Sequence, residues 1–169
     1  MDVDDAIRTR RTHKAYRPEP VDRAVLEELL DLARWAPNHH LTSPWRFRVL
    51  GPQALAELKA AAGPEARAKL DRAPTLVAVT VTTSGDPVEA DEDCDAAAIA
   101  AYIVLLAAHG RGLAGYWRTP GVLRTGAGRA ALGIQDGERV IGLLHLGTAR
   151  QEQRVPERAP VQDFVTWLS

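Results

Sequence analysis

TLVAVTVT, residues 75–82, decides the fold. A strand with one wet face alternates apolar and polar side chains. This one is rich in β-branched residues and apolar almost throughout, as a central strand covered on both faces requires. RVIGLLHLG, residues 139–147, reads as a second buried strand, and WRFRVL, residues 45–50, alternates like a half-buried one. Between the first and last of these, the spacing predicts a helix from about Gln53 to Ala62, a break at Gly63-Pro64 and a short helix to Arg72. SGDPVEADED, residues 84–93, reads as a surface loop leading into an alanine-rich helix that ends near His109. GRGLAGYWRTPG, residues 110–121, reads as a glycine-punctuated loop.

Toward the N-terminus, DVDDAIRTR forms a short helix with acids at its start and arginines at its end, matching the helix dipole. Pro18 and Pro20 keep the following segment extended. Asp22 caps a helix in which Leu26, Leu29, Leu30 and Ala33 share a face, and Pro37 ends it. At the other end, VQDFVTWL has strand composition behind a loose polar tail and is a candidate for pairing with a neighbouring chain. Helices and strands mix without strict βαβ alternation. The expectation is an α+β fold, a mixed central sheet flanked by helices, forming one domain over residues 1–169.

Composition narrows the function. Of 169 residues, 46% are hydrophobic and 25% charged, so a packed core is expected rather than disorder. The net charge of −1 argues against a surface built for nucleic acid, although a local basic patch is compatible with it. A single cysteine, Cys94, excludes an intrachain disulfide and a thiolate metal cage within the chain. The acids at Asp2, Asp4 and Asp5 are not those of a secretory signal. AAAIAAYIVLLAA, residues 96–108, is too short to cross a bilayer. A cytoplasmic location without membrane or nucleic-acid partners follows as the expectation.

No catalytic group of the protein's own emerges. None of the serines sits in a G-x-S-x-G elbow, and no H-E-x-x-H spacing exists. His39 and His40 are adjacent, so their side chains are expected to diverge, and no metal site is expected. Gly126-Ala-Gly128-Arg-Ala-Ala131 fits a loose dinucleotide fingerprint but lacks the preceding core strand that its mechanism needs. His145, inside an apolar strand, reads as a satisfied core or surface histidine. If the chain is an enzyme, a bound cofactor carries the chemistry.

The remaining signal is RTRRTHKAY, residues 8–16, which is dense in donors and free of acids. Three readings compete. The arginines could cap the carbonyls of the first helix, the rest being solvated. The segment could be a nucleic-acid arm, though the near-neutral balance offers it little support. Or two arginines, a threonine and a lysine could hold one phosphate. Residue chemistry alone leaves these open.

RRTHKAY, APNHHLTSPWRF, GYWRTPG and RVIGLLHLGTA occur in the order of the signature segments of the FMN-dependent nitroreductase family. The chain resembles its small bacterial members along nearly its whole length. The resemblance implies an α+β sandwich whose homodimer builds two FMN sites at its interface. It implies NAD(P)H as co-substrate, with a hydride passed to flavin N5 and then to a nitroaromatic, quinone or similar acceptor in a ping-pong cycle. Arg10, Arg11 and Thr12 match the segment holding the FMN phosphate and ribityl chain. Lys14 matches a position reaching the pyrimidine edge, a duty His13 could share. Pro37, Asn38 and His39 match a loop lining the flavin from the partner chain. Ser43 stands where glutamine is commoner, while Trp45 is a packing residue. Trp117, Arg118 and Thr119 match the loop beside the reactive edge, where a backbone N–H approaches N5. Gly147 and Thr148 end near the phosphate, and Arg150, Arg154 or Arg158 completes its charge. The alternatives are a non-enzymatic FMN carrier or sensor, or a relative with another flavin reaction such as dehalogenation or ring dehydrogenation.

Overall fold

The computed structural model describes residues 1–168. Four strands form one sheet in the order β1-β2-β4-β3, with β1 at Trp45–Val49, β2 at Thr75–Thr82, β3 at Ala114–Arg118 and β4 at Glu138–Gly147. β2 pairs with β1 on one side (Phe47 opposite Val79) and β4 on the other (Thr75 opposite Leu146), and it is buried from Thr75 to Val81. Its alternate side chains enter two separate cores. Val77, Val79 and Val81 pack on one face, Leu76 and Ala78 on the other. Continuous apolarity was therefore the right signal for a doubly covered strand.

The first face is covered by α2 (Arg23–Ala33) and α5 (Pro87–Gly110), with α1 (Val3–Thr9) against α5. The second core gathers residues of α3 (Pro52–Ala61), α4 (Pro64–Leu70) and the stretch around α6 (Gly126–Ala131). All four strands pair antiparallel, and the expected mixed character is confined to one parallel bridge between Thr12 and Gly115. The loose dinucleotide fingerprint forms the six-residue α6, reached from β3 through a 3-10 turn rather than by the direct strand-to-helix turn that the motif needs.

Three sequence expectations need correction. α5 begins at Pro87, so much of the expected surface loop is helix. Asp86 caps it, its carboxylate accepting from the Val88 and Glu89 N–H groups at 2.8 and 3.1 Å, and Pro87 starts the first turn. At 24 residues α5 is long and apolar enough to cross a membrane, yet half of its most apolar stretch is buried in this fold. Its alanines let it lie close to the sheet. A Cβ on Gly115 of β3 would come within 2.6 Å of Leu105 Cδ2. The glycine-punctuated stretch from 110 is likewise not all loop: Gly112, at φ 76°, turns the chain, and β3 follows directly. Finally, VQDFVTWL forms only a 3-10 turn at Val161–Asp163. Phe164 and Trp167 stay 71% and 92% exposed.

Candidate functional site

The basic segment starts where α1 ends. Asp2 caps that helix, accepting from Asp5 N–H at 2.8 Å, and Arg10 leaves it with extended backbone. Arg11 bends back, its guanidinium donating to the carbonyls of Arg8 and Arg10 at 2.6 and 2.9 Å. The capping reading thus accounts for Arg11. It does not account for Arg10, which stands over the Tyr102 ring at 5.8 Å with its Nε buried and unpartnered among the described residues. Such an atom loses about 1–3 kcal/mol of solvation unless something else bonds it.

Arg8, Arg10 and Arg11 line a cleft of about 430 Å³ with Ile7 and Tyr102, and the C-terminal tail closes it with Val155, Pro156 and Arg158. Four arginines and no acid face the same space. Of the three downstream arginines considered, Arg158 arrives here. Arg150 faces a different cleft, and Arg154 lines neither.

Thr12 bridges Gly115, and His13 N–H donates to the Gly115 carbonyl at 3.2 Å, so the segment is laid along the open edge of β3. Buried Tyr16 anchors it, its hydroxyl donating to the His13 carbonyl at 2.8 Å. Lys14 is exposed, and its ammonium forms no salt bridge among the described residues. His13 Nδ1 is another buried orphan. Burial, with the nearby His109 and Arg10, lowers the His13 pKa despite a backbone hydrogen bond at Gln151. Burial and the charges of Arg10 and Arg11 do the same to His109, whose Nε2 lies 2.8 Å from Thr9 Oγ1. Burial is the larger cause in both, and the arginine charges beside these rings add to it in the sense that would favour an anion.

The loop at 36–44 is held by Asn38, whose amide donates to the Ala36 carbonyl at 3.0 Å while its oxygen accepts from Ser43 N–H at 2.9 Å. Pro37 lies exposed beside it. His39 Nδ1 sits 2.8 Å from Glu92 of α5, and Thr42 donates to the buried Asp93 carboxylate at 2.9 Å. His39 and His40 do not diverge as expected. Their rings stack at 3.9 Å, because His40 adopts a left-handed backbone (φ 51°) that swings it back over its neighbour. Leu41 and Ser43 share that conformation, and three such non-glycine residues in four positions concentrate strain in this loop. Its anchor, Glu92, is ten residues from Tyr102, or about 15 Å along α5. A single chain therefore does not bring Asn38 and His39 to the arginine cleft.

Trp117 and Arg118 close β3, and exposed Thr119 follows. The Trp117 indole lies against Gly142, donating to the Ile141 carbonyl at 3.2 Å where β4 bulges, and Arg118 donates to the Lys69 carbonyl at 3.2 Å. Their side chains brace the strand, whose last paired residue is Arg118, opposite Leu143. Trp45 is buried and packs in the first core, as expected.

Sequence reasoning missed Tyr102, whose signal was an aromatic in a helix of small aliphatic residues, and it misjudged His145. That ring is completely buried with both nitrogens unpartnered among the described residues. Burial, with the charges of Arg118 and Arg72, pushes its pKa down to about 3.

The sequence model of the nitroreductase family matches two overlapping segments, residues 7–69 and 57–148. A Bacillus subtilis protein provisionally named an NAD(P)H nitroreductase is 26% identical over 178 residues, covering 96% of this chain and 92% of its own. The 4-nitrobenzoate reductase of Pseudomonas putida is 36% identical over 62 residues, 37% of this chain and 27% of that one. Among solved structures, a nitroreductase-like protein of Bacillus cereus superposes with a TM-score of 0.89 at 23% identity, over 99% of this chain and 96% of that chain.

Proposed function

The chain belongs to the nitroreductase family, and from that premise we propose that it is an NAD(P)H-dependent oxidoreductase holding FMN between two copies of itself. The observation that carries the reading is the acid-free cleft of Arg8, Arg10, Arg11 and Arg158, with the Arg10 Nε buried and unpartnered at its side. A phosphate monoester fits that donor set. It brings about two negative charges and three acceptor oxygens to forked guanidiniums that have no carboxylate to satisfy. The names of relatives point the same way, toward NAD(P)H and nitro compounds. One structural neighbour, at 17% identity, is described as an FMN- and NADPH-dependent nitroreductase.

In this reading Arg10 grips the phosphate, joined by the N–H groups of Arg11 that its Nη1 bonds to the Arg8 and Arg10 carbonyls leave over, and Thr12 adds a neutral donor toward the ribityl chain. Lys14, exposed and in no ion pair among the described residues, places positive charge by the pyrimidine edge, where it stabilises negative charge on the ring. The backbone beyond Trp117, at Arg118 and Thr119, offers N–H groups to the reactive edge. Pro37, Asn38 and His39 belong to the second copy's half of the site, because their own chain holds them about 15 Å away. The exposed apolar tail from Val161 finds its cover on that second copy. A single domain over residues 1–169 supplies one half of each site. When bound, FMN would supply the redox chemistry for ping-pong hydride transfer from NAD(P)H to a nitroaromatic, quinone or similar acceptor. The protein orients ring and substrates and excludes side reactions.

The test is anaerobic. Protein saturated with FMN is mixed with NADH or NADPH, and flavin bleaching is followed before and after adding a nitroaromatic. Reduction far faster than that of free FMN, reversed by the acceptor, is expected. Bound flavin reduced no faster than free FMN would instead identify a carrier or sensor, and no flavin uptake would end the proposal.

A further inference from the structure

A second basic cleft lies where the N-terminal segment meets the end of β4. It encloses about 620 Å³, and its lining includes Tyr16, Arg17, Asp71, Arg72, Pro74 and Arg150. It shares no lining residue with the cleft of Arg10 and Arg158. Arg17 and Arg150 are fixed by a short antiparallel ladder. Arg17 N–H donates to the Thr148 carbonyl at 2.9 Å, Arg150 N–H donates to the Ala15 carbonyl at 3.2 Å, and Tyr16 bridges Ala149 between them. The floor is packed solid. A Cβ on Gly147 would come within 2.9 Å of Pro74 Cγ and 3.2 Å of the Tyr16 ring. Arg72 enters from the end of α4.

None of the three guanidiniums is in a salt bridge among the described residues, and the single acid in the lining, Asp71, is already paired with Lys59. Three exposed arginines outside any such salt bridge therefore share one cleft, with Glu65 near Arg72 but not in the lining, in a chain whose net charge is −1. An anion held among them gains attraction from all three, the more so at low ionic strength where screening is weak.

We propose that this cleft binds a phosphorylated small molecule, its phosphoryl oxygens taken by Arg17, Arg72 and Arg150. A lone carboxylate offers one charge and two oxygens, too few for three forked donors, whereas a phosphoryl group brings about two charges and three terminal oxygens and a pyrophosphoryl group more of each. The volume lies in the range of small-molecule pockets, and Tyr16 and Pro74 give an apolar wall for the rest of the ligand. Nucleic acid fits less well, since three arginines round one concavity do not make the stripe that a backbone needs.

The experiment is calorimetric titration of inorganic pyrophosphate into FMN-saturated protein, at low and at physiological ionic strength. Saturation with flavin occupies the other arginine cleft. One equivalent per chain is expected to bind. Arg17→Ala and Arg72→Ala should each weaken it about tenfold or more, the loss of one charge-assisted contact. Arg72→Lys, which keeps charge but not the fork, should fall between. Both alanine variants should retain wild-type FMN affinity. No heat with pyrophosphate, or binding unchanged in the double alanine variant, overturns the proposal, as does a short single-stranded oligonucleotide that binds through Arg17 and Arg72 where pyrophosphate does not. If the protein takes up no flavin, the same titration on Arg10→Met protein isolates this cleft, so this inference and the flavin reading fail separately.

Discussion

Replacing Arg10 by methionine should move stability and cofactor affinity in opposite directions. In the flavin-free chain, the Arg10 Nε is buried without a partner, a desolvation cost of about 1–3 kcal/mol. The guanidinium recovers part of this over the Tyr102 ring at 5.8 Å, a geometry contributing about 0.5–1 kcal/mol. Methionine keeps an unbranched stem against Tyr102 and removes both terms. The flavin-free protein should therefore be unchanged or stabilised by roughly 1–2 kcal/mol. With FMN, the same change deletes a charge-assisted contact to phosphate of about 1.5–3 kcal/mol, a loss of roughly ten- to a hundredfold in affinity. Flavin fluorescence quenching gives the Kd. Urea unfolding of flavin-free protein, at fixed protein concentration, gives the stability. A drop of more than about 2 kcal/mol in the flavin-free protein would make Arg10 a structural residue and defeat the reasoning, as would an unaltered Kd.

Three further outcomes are expected. Gly142→Ala places a Cβ 2.7 Å from Trp117 Cδ1 and 2.8 Å from the Arg118 carbonyl oxygen. Overpacking plus the lost indole bond should cost about 2–4 kcal/mol, a fall in Tm of roughly 5–15 °C, and an unmoved Tm would contradict the bulge register. His145→Leu removes two unpartnered nitrogens and should raise stability at pH 7 by about 1–3 kcal/mol. Because the folded pKa is lowered from 6.5 to about 3, the neutral ring's contribution in the wild type is complete above 6.5 and declines as pH falls toward 3. The leucine variant should lose less on going from pH 7 to 4 in urea unfolding, and a variant weaker at both would mean the ring is satisfied. Truncation before Val161 should weaken self-association and FMN affinity together, and an unchanged sedimentation profile at low concentration would count against a tail that crosses to a second copy.

Legibility followed burial. β2 and β4 could be read because both faces are covered, which forces an apolar run that no surface element needs. β3 could not. Its Gly115 is required beneath Leu105, so close packing had replaced a residue that would signal a strand with one that reads as a turn. The first turns of α5 were hidden for the opposite reason. Acids from Glu89 to Asp95 mostly face solvent near a helix N-terminus, where negative charge is favourable but reads as loop. Within the site, the charge of residues 8–14 was plain, since a local cluster is a local signal. The choice of Arg158 over Arg150 was not, because it depends on where a tail nearly 150 residues downstream comes to rest.

The strained loop at 38–43 and the arginine cleft both rest on α5, one at Glu92 and the other at Tyr102, and a straight helix cannot shorten the distance between them. A cofactor touching both would have to span that helix along its exposed side, where Val88 and Ile99 also face solvent. An apolar helix side left open, a tail of exposed aromatics and two half-sites that never meet are three separate costs for an isolated chain. In the proposed dimer, a twofold axis beside α5 would remove all three at once, since an isologous interface that brings one chain's loop to the other's cleft also does the reverse. Flavin affinity and self-association should therefore be coupled, each falling when the other is disrupted.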